Sequence, residues 1–132
     1  MSIAKYCYIT QPSEFADLCY NTDDAQDFPF KVKRVYYILG TQPGVERGFH
    51  AHKELQQVAF CVTGSCRFRL DDGVNKEDVL LDSPEKGLIL GDMLWHEMYD
   101  FSPDCIISVL ASDVYDESDY IRDYDEFMRL VK

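Results

Sequence analysis

The chain has 132 residues, of which 46% are hydrophobic and 14% are aromatic, which is the composition of a packed globular protein and not of a disordered one. The net charge of −11 argues against a nucleic-acid partner, although a local cluster of cations could still bind a nucleoside diphosphate. We expect one domain over residues 1–132.

Targeting signals and cysteine use point to the cytoplasm. The sequence has no apolar run near the roughly 20 residues that cross a membrane, and its N-terminus lacks a secretory signal pattern. The five cysteines are an odd number without a C-x-x-C pair, and several lie in apolar runs. This pattern is typical of reduced, buried thiols. We therefore expect a cytoplasmic protein without a membrane partner.

The first strong strand signal in the chain is the β-branched and aromatic run of residues 32–39, which stops at Gly40. Alternate residues of a strand share a face, so Arg34 and Tyr36 lie on one face and Tyr37 lies on the other. The sequence does not decide which face is internal, so both tyrosines remain candidates for a site.

Further short strand signals follow at intervals of about ten residues, a spacing that predicts an antiparallel sandwich or barrel. They cover residues 57–62, 66–70, 79–82, 87–90, 94–99 and 105–111. Turn signals such as Thr63-Gly64-Ser65 separate them. One helix is expected at the C-terminus, because apolar residues recur at helical spacing from Tyr120 to Val131 and Ser118 could cap it.

A spaced motif, G-x5-H-x-H-x4-Q-x6-G, carries the strongest functional signal. Its residues are Gly44, His50, His52, Gln57 and Gly64. The two histidines stand two apart, so both imidazoles project from the same face of a strand, and in a small barrel that face points inward. The spacing resembles the first signature of the cupin superfamily, which has Glu where this chain has Gln57.

A weaker second cupin signature begins at Gly87 and ends in Trp95-His96, without the usual Pro and Gly. Four longer segments show a closer resemblance, to the nucleotide-sugar 3,4-ketoisomerases, the WxcM-like cupins. These segments are FKVKRVYYI (30–38), RGFHAHK (47–53), WHEMYDFS (95–102) and YDESDYIR (115–122). The resemblance covers roughly Pro29 to Phe127. It implies an all-β fold, a cupin jelly-roll barrel of antiparallel strands with a short C-terminal helix.

The family implies a specific reaction. Its members move the ketone of dTDP-4-oxo-6-deoxyglucose from the 4- to the 3-position, for 3-amino-3,6-dideoxysugars of surface glycans such as lipopolysaccharide or S-layer glycan. They work as homodimers with strand exchange, without a metal or other cofactor. The resemblance makes His50 and His52 the catalytic core.

The chemistry of the reaction suits these residue types. A ketone shift needs a base that takes the proton from C3, and histidine titrates near neutral pH. The enediolate needs a donor, which could be the second histidine, Tyr36 or Tyr37. Arg47 could clamp a pyrophosphate, since a guanidinium fits phosphate oxygens. The further substrate-binding candidates are Arg34, Lys53, Arg67, Trp95 and His96.

Two other functions remain open at this point. A metal-dependent, dioxygenase-like cupin could use His50, His52 and His96, with Gln57 as a weak fourth ligand. A catalytically silent sugar-nucleotide binding module is the other alternative. One departure from the family lies at residues 13–20, which lack its N-terminal Arg-Gly segment. Neither a gluco nor a galacto product can be chosen from the sequence.

Overall fold

The structure is a computed structural model that describes residues 3–9 and 28–132. Its architecture is two five-stranded antiparallel sheets that lie face to face, followed by one short helix. The strands are β1 (Tyr6–Tyr8), β2 (Arg34–Ile38), β3 (Arg47–His52), β4 (Gln57–Thr63), β5 (Cys66–Asp71), β6 (Lys76–Leu81), β7 (Lys86–Leu90), β8 (Trp95–Tyr99), β9 (Ile106–Ala111) and β10 (Tyr120–Ile121). The departure noted at residues 13–20 lies outside the described residues.

The strand order shows that neighbours in space are rarely neighbours in sequence. The first sheet has the order β1-β7-β4-β9-β2, and the second has the order β10-β3-β8-β5-β6. The two sheets enclose a common core, so the expected antiparallel jelly-roll barrel of the cupin type is confirmed. No helix in the part of the chain that the structure describes is long and apolar enough to cross a membrane.

The core forms from alternate residues of both sheets. Phe68 and Leu70 of β5 face Leu88 of β7 and Ile107 of β9, and all four are almost fully buried. Each such side chain contributes roughly 1.5–3 kcal/mol by leaving water. The buried free thiols Cys61, Cys66 and Cys105 belong to the same core, as their place in apolar runs predicted. Apolar packing therefore joins the sheets and leaves the other end of the space between them free for polar side chains.

The C-terminal helix begins later than the sequence pattern predicts. Tyr120–Ile121 is a strand, β10, that pairs with Ala51 and His52 of β3. The helix α1 spans Tyr124–Leu130, and its N-cap is Asp123, whose side chain accepts from the first free backbone N–H groups. Ser118 instead lies in a 3-10 turn. The expected helix start was wrong because the backbone of residues 120–121 pairs with β3 as a strand instead of forming the first helical turn.

Gly64 gives a direct test of the turn between β4 and β5. Its φ is +73°, and a Cβ placed there would lie 2.9 Å from the Cα of Cys105. Gly40 is a matched control, because its φ is +67° and nothing lies within 4 Å of its Cβ position. We expect Gly64→Ala to lower the free energy of unfolding by roughly 2–4 kcal/mol, from left-handed strain plus overpacking. Gly40→Ala should cost only the strain, about 1–2 kcal/mol. Urea unfolding of both variants measures this, and equal losses would contradict the account.

Candidate active site

A cavity of about 550 Å³ opens between the two sheets. Strands of both sheets and the segment around β10 contribute its walls. Its polar lining consists of Arg34, Tyr36, Tyr37, Arg47, His50, Gln57, His96, Tyr115, Tyr120 and Arg122. A mixed wall of neutral bases, hydroxyls and guanidinium groups suits a polar, anionic ligand better than an apolar one.

His50 reaches the cavity through an irregular stretch of β3. The register of β3 against β8 shifts between Gly48 and His50, and Phe49 between them has a φ of 61°. Such a bulge re-aims the side chain that follows it. The Nδ1 of His50 lies 3.1 Å from the backbone oxygen of Gly48, so Nδ1 donates and Nε2 keeps the lone pair. His50 is therefore held in the tautomer that can act as a base.

Three imidazoles lie close together in this region. The ring centroids of His50 and His96 are 4.7 Å apart, those of His50 and His52 are 5.1 Å apart, and those of His52 and His96 are 6.4 Å apart. Burial lowers the pKa of His50, and burial with mutual repulsion lowers the pKa of His52 to about 4 and that of His96 to about 3. The cluster is thus uncharged at neutral pH and able to accept a proton.

His52 lies behind His50, outside the cavity wall. It is only 2% exposed, and its Nδ1 is 3.4 Å from Oδ2 of Asp119. The Asp119 carboxylate is itself held by the backbone N–H groups of Glu54 and Leu55. The ring of Tyr120 packs against His52 at 4.3 Å and against His50 at 5.0 Å. The C-terminal segment therefore fixes both histidines of the motif from one side.

The half-buried Tyr36 and the buried Gln57 form a polar pair in the wall opposite the histidines. The Nε2 of Gln57 donates to the hydroxyl oxygen of Tyr36 at 2.7 Å. Burial raises the pKa of Tyr36 to about 12, so its hydroxyl keeps the proton at neutral pH. The guanidinium of Arg34 lies 5.0 Å from the centre of the Tyr36 ring. The face shared by Arg34 and Tyr36 is thus the internal one.

Arginines supply positive charge to the cavity. Arg122 stacks on the Tyr120 ring at 4.2 Å and donates to the Glu117 carboxylate at 2.8 and 2.9 Å. The Nε of Arg34 is buried and, among the described residues, has no hydrogen-bond partner. With Arg47 these side chains place three cations around the cavity. A net acidic chain thus concentrates positive charge at one site, where a diphosphate could bind.

The structure brings six of the ten sequence candidates to the cavity lining, namely Arg34, Tyr36, Tyr37, Arg47, His50 and His96. His52 lies just behind this lining. Tyr37 only borders the cavity, since its side chain is on the other face of β2 and 57% exposed.

Three candidates lie outside the cavity because strand parity turns them to the outer face. Phe68 faces the core, so Arg67 points outward and pairs with Asp100 at 3.6 Å. His96 lines the cavity, so Trp95 points the other way and donates to Glu97 at 2.9 Å beneath α1. Lys53 follows the last residue of β3 and is exposed. The structure thus places these three outside the cavity lining, and their contact with substrate stays a prediction.

Four residues of the site were missed from the sequence: Tyr115, Asp119, Tyr120 and Arg122. They come from a segment whose acidic composition resembles a solvated surface. One signal was available, since Arg122 is the single cation between Asp113 and Glu126. A single cation among many carboxylates is expected to pair with one of them, as Arg122 does with Glu117.

A metal site made by the three histidines does not match this geometry. Among residues 3–9 and 28–132, no group of three or more His, Cys, Asp or Glu residues is arranged to hold an ion. His50 and His96 line the cavity, whereas His52 lies behind His50. Gln57 turns its amide nitrogen, which is no metal ligand, toward Tyr36. The side chains needed for the metal-dependent alternative are thus not gathered around one point of the cavity.

Comparison with known proteins agrees with this geometry. Residues 8–132 match the family model described as WxcM-like, C-terminal. The chain is 54% identical over 109 residues, 83% of this chain and 78% of the relative, to the TDP-4-oxo-6-deoxy-alpha-D-glucose-3,4-oxoisomerase of Aneurinibacillus thermoaerophilus.

Solved structures of sugar isomerases share the fold. A sugar 3,4-ketoisomerase of Thermoanaerobacterium thermosaccharolyticum, crystallised with TDP, has a TM-score of 0.78 and 43% identity over 80% of this chain and 77% of that one. A His-to-Asn variant of the same enzyme was crystallised with TDP-4-keto-6-deoxyglucose. A 3,4-ketoisomerase of Helicobacter canadensis has a TM-score of 0.83 and 39% identity over 99% of this chain and 98% of that one. The family resemblance drawn from the sequence motifs is thereby confirmed, and the chain belongs to the WxcM-like family.

Proposed function

We propose that the protein is a nucleotide-sugar 3,4-ketoisomerase that moves the ketone of a dTDP-linked 4-oxo-6-deoxyhexose from C4 to C3. The observation that carries this proposal is His50, a neutral imidazole in the cavity wall whose Nδ1 donates to the Gly48 backbone oxygen and whose Nε2 therefore carries the lone pair. The 54% identical relative acts on TDP-4-oxo-6-deoxy-glucose, and the solved relatives bind TDP or the keto sugar.

The reaction needs two hydrogens to leave and two to arrive. His50 takes the proton from C3, and the electron pair of that bond forms the C3–C4 double bond of an enediolate. The former ketone oxygen at C4 gains negative charge and then a proton. The hydroxyl at C3 loses its proton as the carbonyl forms there, and C4 receives a hydrogen. No atom is gained or lost, so the chain's own acids and bases suffice for the step.

Tyr36 is the best placed donor to the developing oxyanion. Its hydroxyl keeps its proton at neutral pH, and Arg34 beside its ring favours negative charge nearby. Removing a comparable donor from other enzymes costs roughly 10²–10³-fold in kcat. His52 acts through His50, because it is buried behind that ring and anchored against Asp119. We therefore assign the base to His50 and the orientation of the base to His52.

The remaining parts of the proposal concern binding and context. Arg34, Arg47 and Arg122 would contact the diphosphate, since a guanidinium matches phosphate oxygens. A homodimer is supported by the sheet edges at β1 and β2, since a strand at the edge of a sheet can pair with a second chain. We also propose that residues 1–132 form one domain that works in the cytoplasm, supplying 3-amino-3,6-dideoxysugars for surface glycans.

Hydrogen exchange in D₂O tests the reaction itself. Incubation with dTDP-4-oxo-6-deoxyglucose should exchange the hydrogen on C3 and form the 3-oxo isomer, both visible by proton NMR. We expect His50→Asn to lose turnover by roughly 10²–10⁴-fold, because an amide cannot act as the base. His52→Asn should also lose turnover while keeping the fold. An unfolding curve for each variant is the control, and a wild-type protein without exchange at C3 would exclude the isomerase.

The lowered pKa of His50 predicts how activity responds to acid. His50 must be neutral to act, and burial brings its pKa below the ordinary value of 6.5. Protonation therefore removes the base only at a pH below that value. Because kcat/KM reports the free enzyme, its acid limb should have a midpoint below pH 6.5. The acid limb of the kcat profile should have its midpoint at a higher pH than that of kcat/KM, since a bound anion stabilises the protonated imidazole. A kcat/KM midpoint at or above 6.5 would count against His50 as the base.

Two arginines allow the cavity to be compared with the outer face of the sheet as the binding place of the diphosphate. Arg122 lines the cavity, whereas Arg67 lies on the outer face beside Asp100. We expect Arg122→Gln to raise KM by roughly 10–100-fold, the effect of losing a hydrogen bond between charged groups. Arg67→Gln should leave KM within about twofold, as surface ion pairs contribute little. Steady-state kinetics on both variants measures the two KM values. A larger KM increase for Arg67→Gln than for Arg122→Gln would contradict binding of the diphosphate in the cavity.

A further inference from the structure

Gln57 is a buried residue of the cavity wall that the mechanism above does not use. It is 2% exposed and occupies the place where the general cupin signature has Glu. Its Nε2 donates to the hydroxyl oxygen of Tyr36 at 2.7 Å. The hydroxyl is the group of the Tyr36 side chain that can exchange a proton with a ligand. Gln57 contacts this same hydroxyl.

The two side chains meet across an intervening strand. β9 lies between β2 and β4, and Ala111 of β9 pairs with Arg34 on one side and with Gln57 on the other. Cross-strand partners share a face of the sheet, so the methyl group of Ala111 lies on the same side as these longer side chains. Its small size leaves room for the Gln57 amide to reach Tyr36 over β9. The contact between Gln57 and Tyr36 thus follows from the strand pairing of the cavity wall.

The direction of this hydrogen bond decides what the phenol can do. A tyrosine hydroxyl has one proton to donate and lone pairs that accept. A partner that donates an N–H occupies a lone pair and leaves the O–H free for another acceptor. A carboxylate in the same place can only accept, so it would take the O–H for itself. Amide and carboxylate have nearly the same shape but opposite effects on Tyr36.

We propose that Gln57 is a positioning residue, which sets the Tyr36 hydroxyl as a donor to the oxygen at C4 of the sugar. This inference rests on the proposed ketoisomerase function and deepens it. Gln57 does not touch the reacting atoms; it acts through Tyr36. The amide also adds no charge beside the substrate, whereas a carboxylate would oppose the negative charge of the enediolate.

The test compares Gln57→Glu with Gln57→Leu. Glu keeps the shape and reverses the hydrogen bond, whereas Leu removes the bond but leaves the Tyr36 proton free. We expect Gln57→Glu to lower kcat about 10²-fold, near the loss of an oxyanion donor, with KM changed less than about threefold. Gln57→Leu should lower kcat less than about tenfold. A merely structural role predicts the opposite ranking, because Leu loses a buried hydrogen bond that Glu could keep.

Two further measurements separate polarity from packing. The ratio of Gln57→Glu activity to wild-type activity should rise as the pH falls, because a protonated carboxyl group can donate to Tyr36 again. In a Tyr36→Phe background the difference between the Glu and Leu variants should shrink by about tenfold, because only the repulsion between the carboxylate and the enediolate remains once the hydroxyl is missing. A difference of unchanged size in that background overturns the inference.

The outcomes distinguish the inference from the function on which it rests. If wild-type protein exchanges C3 hydrogen but Gln57→Leu is impaired as much as Gln57→Glu, the inference fails and the ketoisomerase stands. If wild-type protein shows no exchange, both fail. Should Gln57→Glu not fold, Gln57→Leu decides alone, since a loss as large as that of Tyr36→Phe overturns the role of hydrogen-bond direction.

Discussion

Desolvation of the histidine cluster is the constraint on which the site depends. The ring centroids of His50, His52 and His96 lie within 6.4 Å of one another. At an exposed position, water would stabilise the charged form of each ring. Burial and mutual repulsion lower their pKa values, so the cluster is neutral in the empty protein. An anionic substrate changes this balance by favouring a protonated ring. The cavity thus holds bases that become more basic when the substrate arrives.

Closure of this cavity depends on the last strand. β10 is only two residues long, yet its pairing with Ala51 and His52 fixes the end of β3. It also brings Asp119 to His52 and Tyr120 onto both motif histidines. The helix α1 then covers the outer face, where Phe127 packs against Trp95 and Ile121. A segment whose sequence resembles an acidic surface therefore supplies one wall of the site and the packing behind it.

Polarity within the cavity is divided between the two sheets. The second sheet contributes His50 and His96 together with Arg47, whereas the first contributes the hydrogen-bond donors Tyr36 and Gln57 together with Arg34. A sugar held between them would have a proton acceptor on one side and donors on the other. Proton abstraction from carbon beside a ketone needs this separation, because base and oxyanion donor must act on different atoms at the same time.

The sequence alone determined the antiparallel strands, the shared strand face of His50 and His52, and the family, because period-2 patterns and spaced motifs are local properties of the chain. It also placed Arg34 and Tyr36 on one face. Only the tertiary structure decided that this face is internal, and that Arg67 and Trp95 point outward, because parity relates neighbours without naming the core side. The roles of Asp119, Tyr120 and Arg122 likewise needed the fold, since strand pairing joins residues about 70 positions apart, a distance over which the sequence carries no periodic signal.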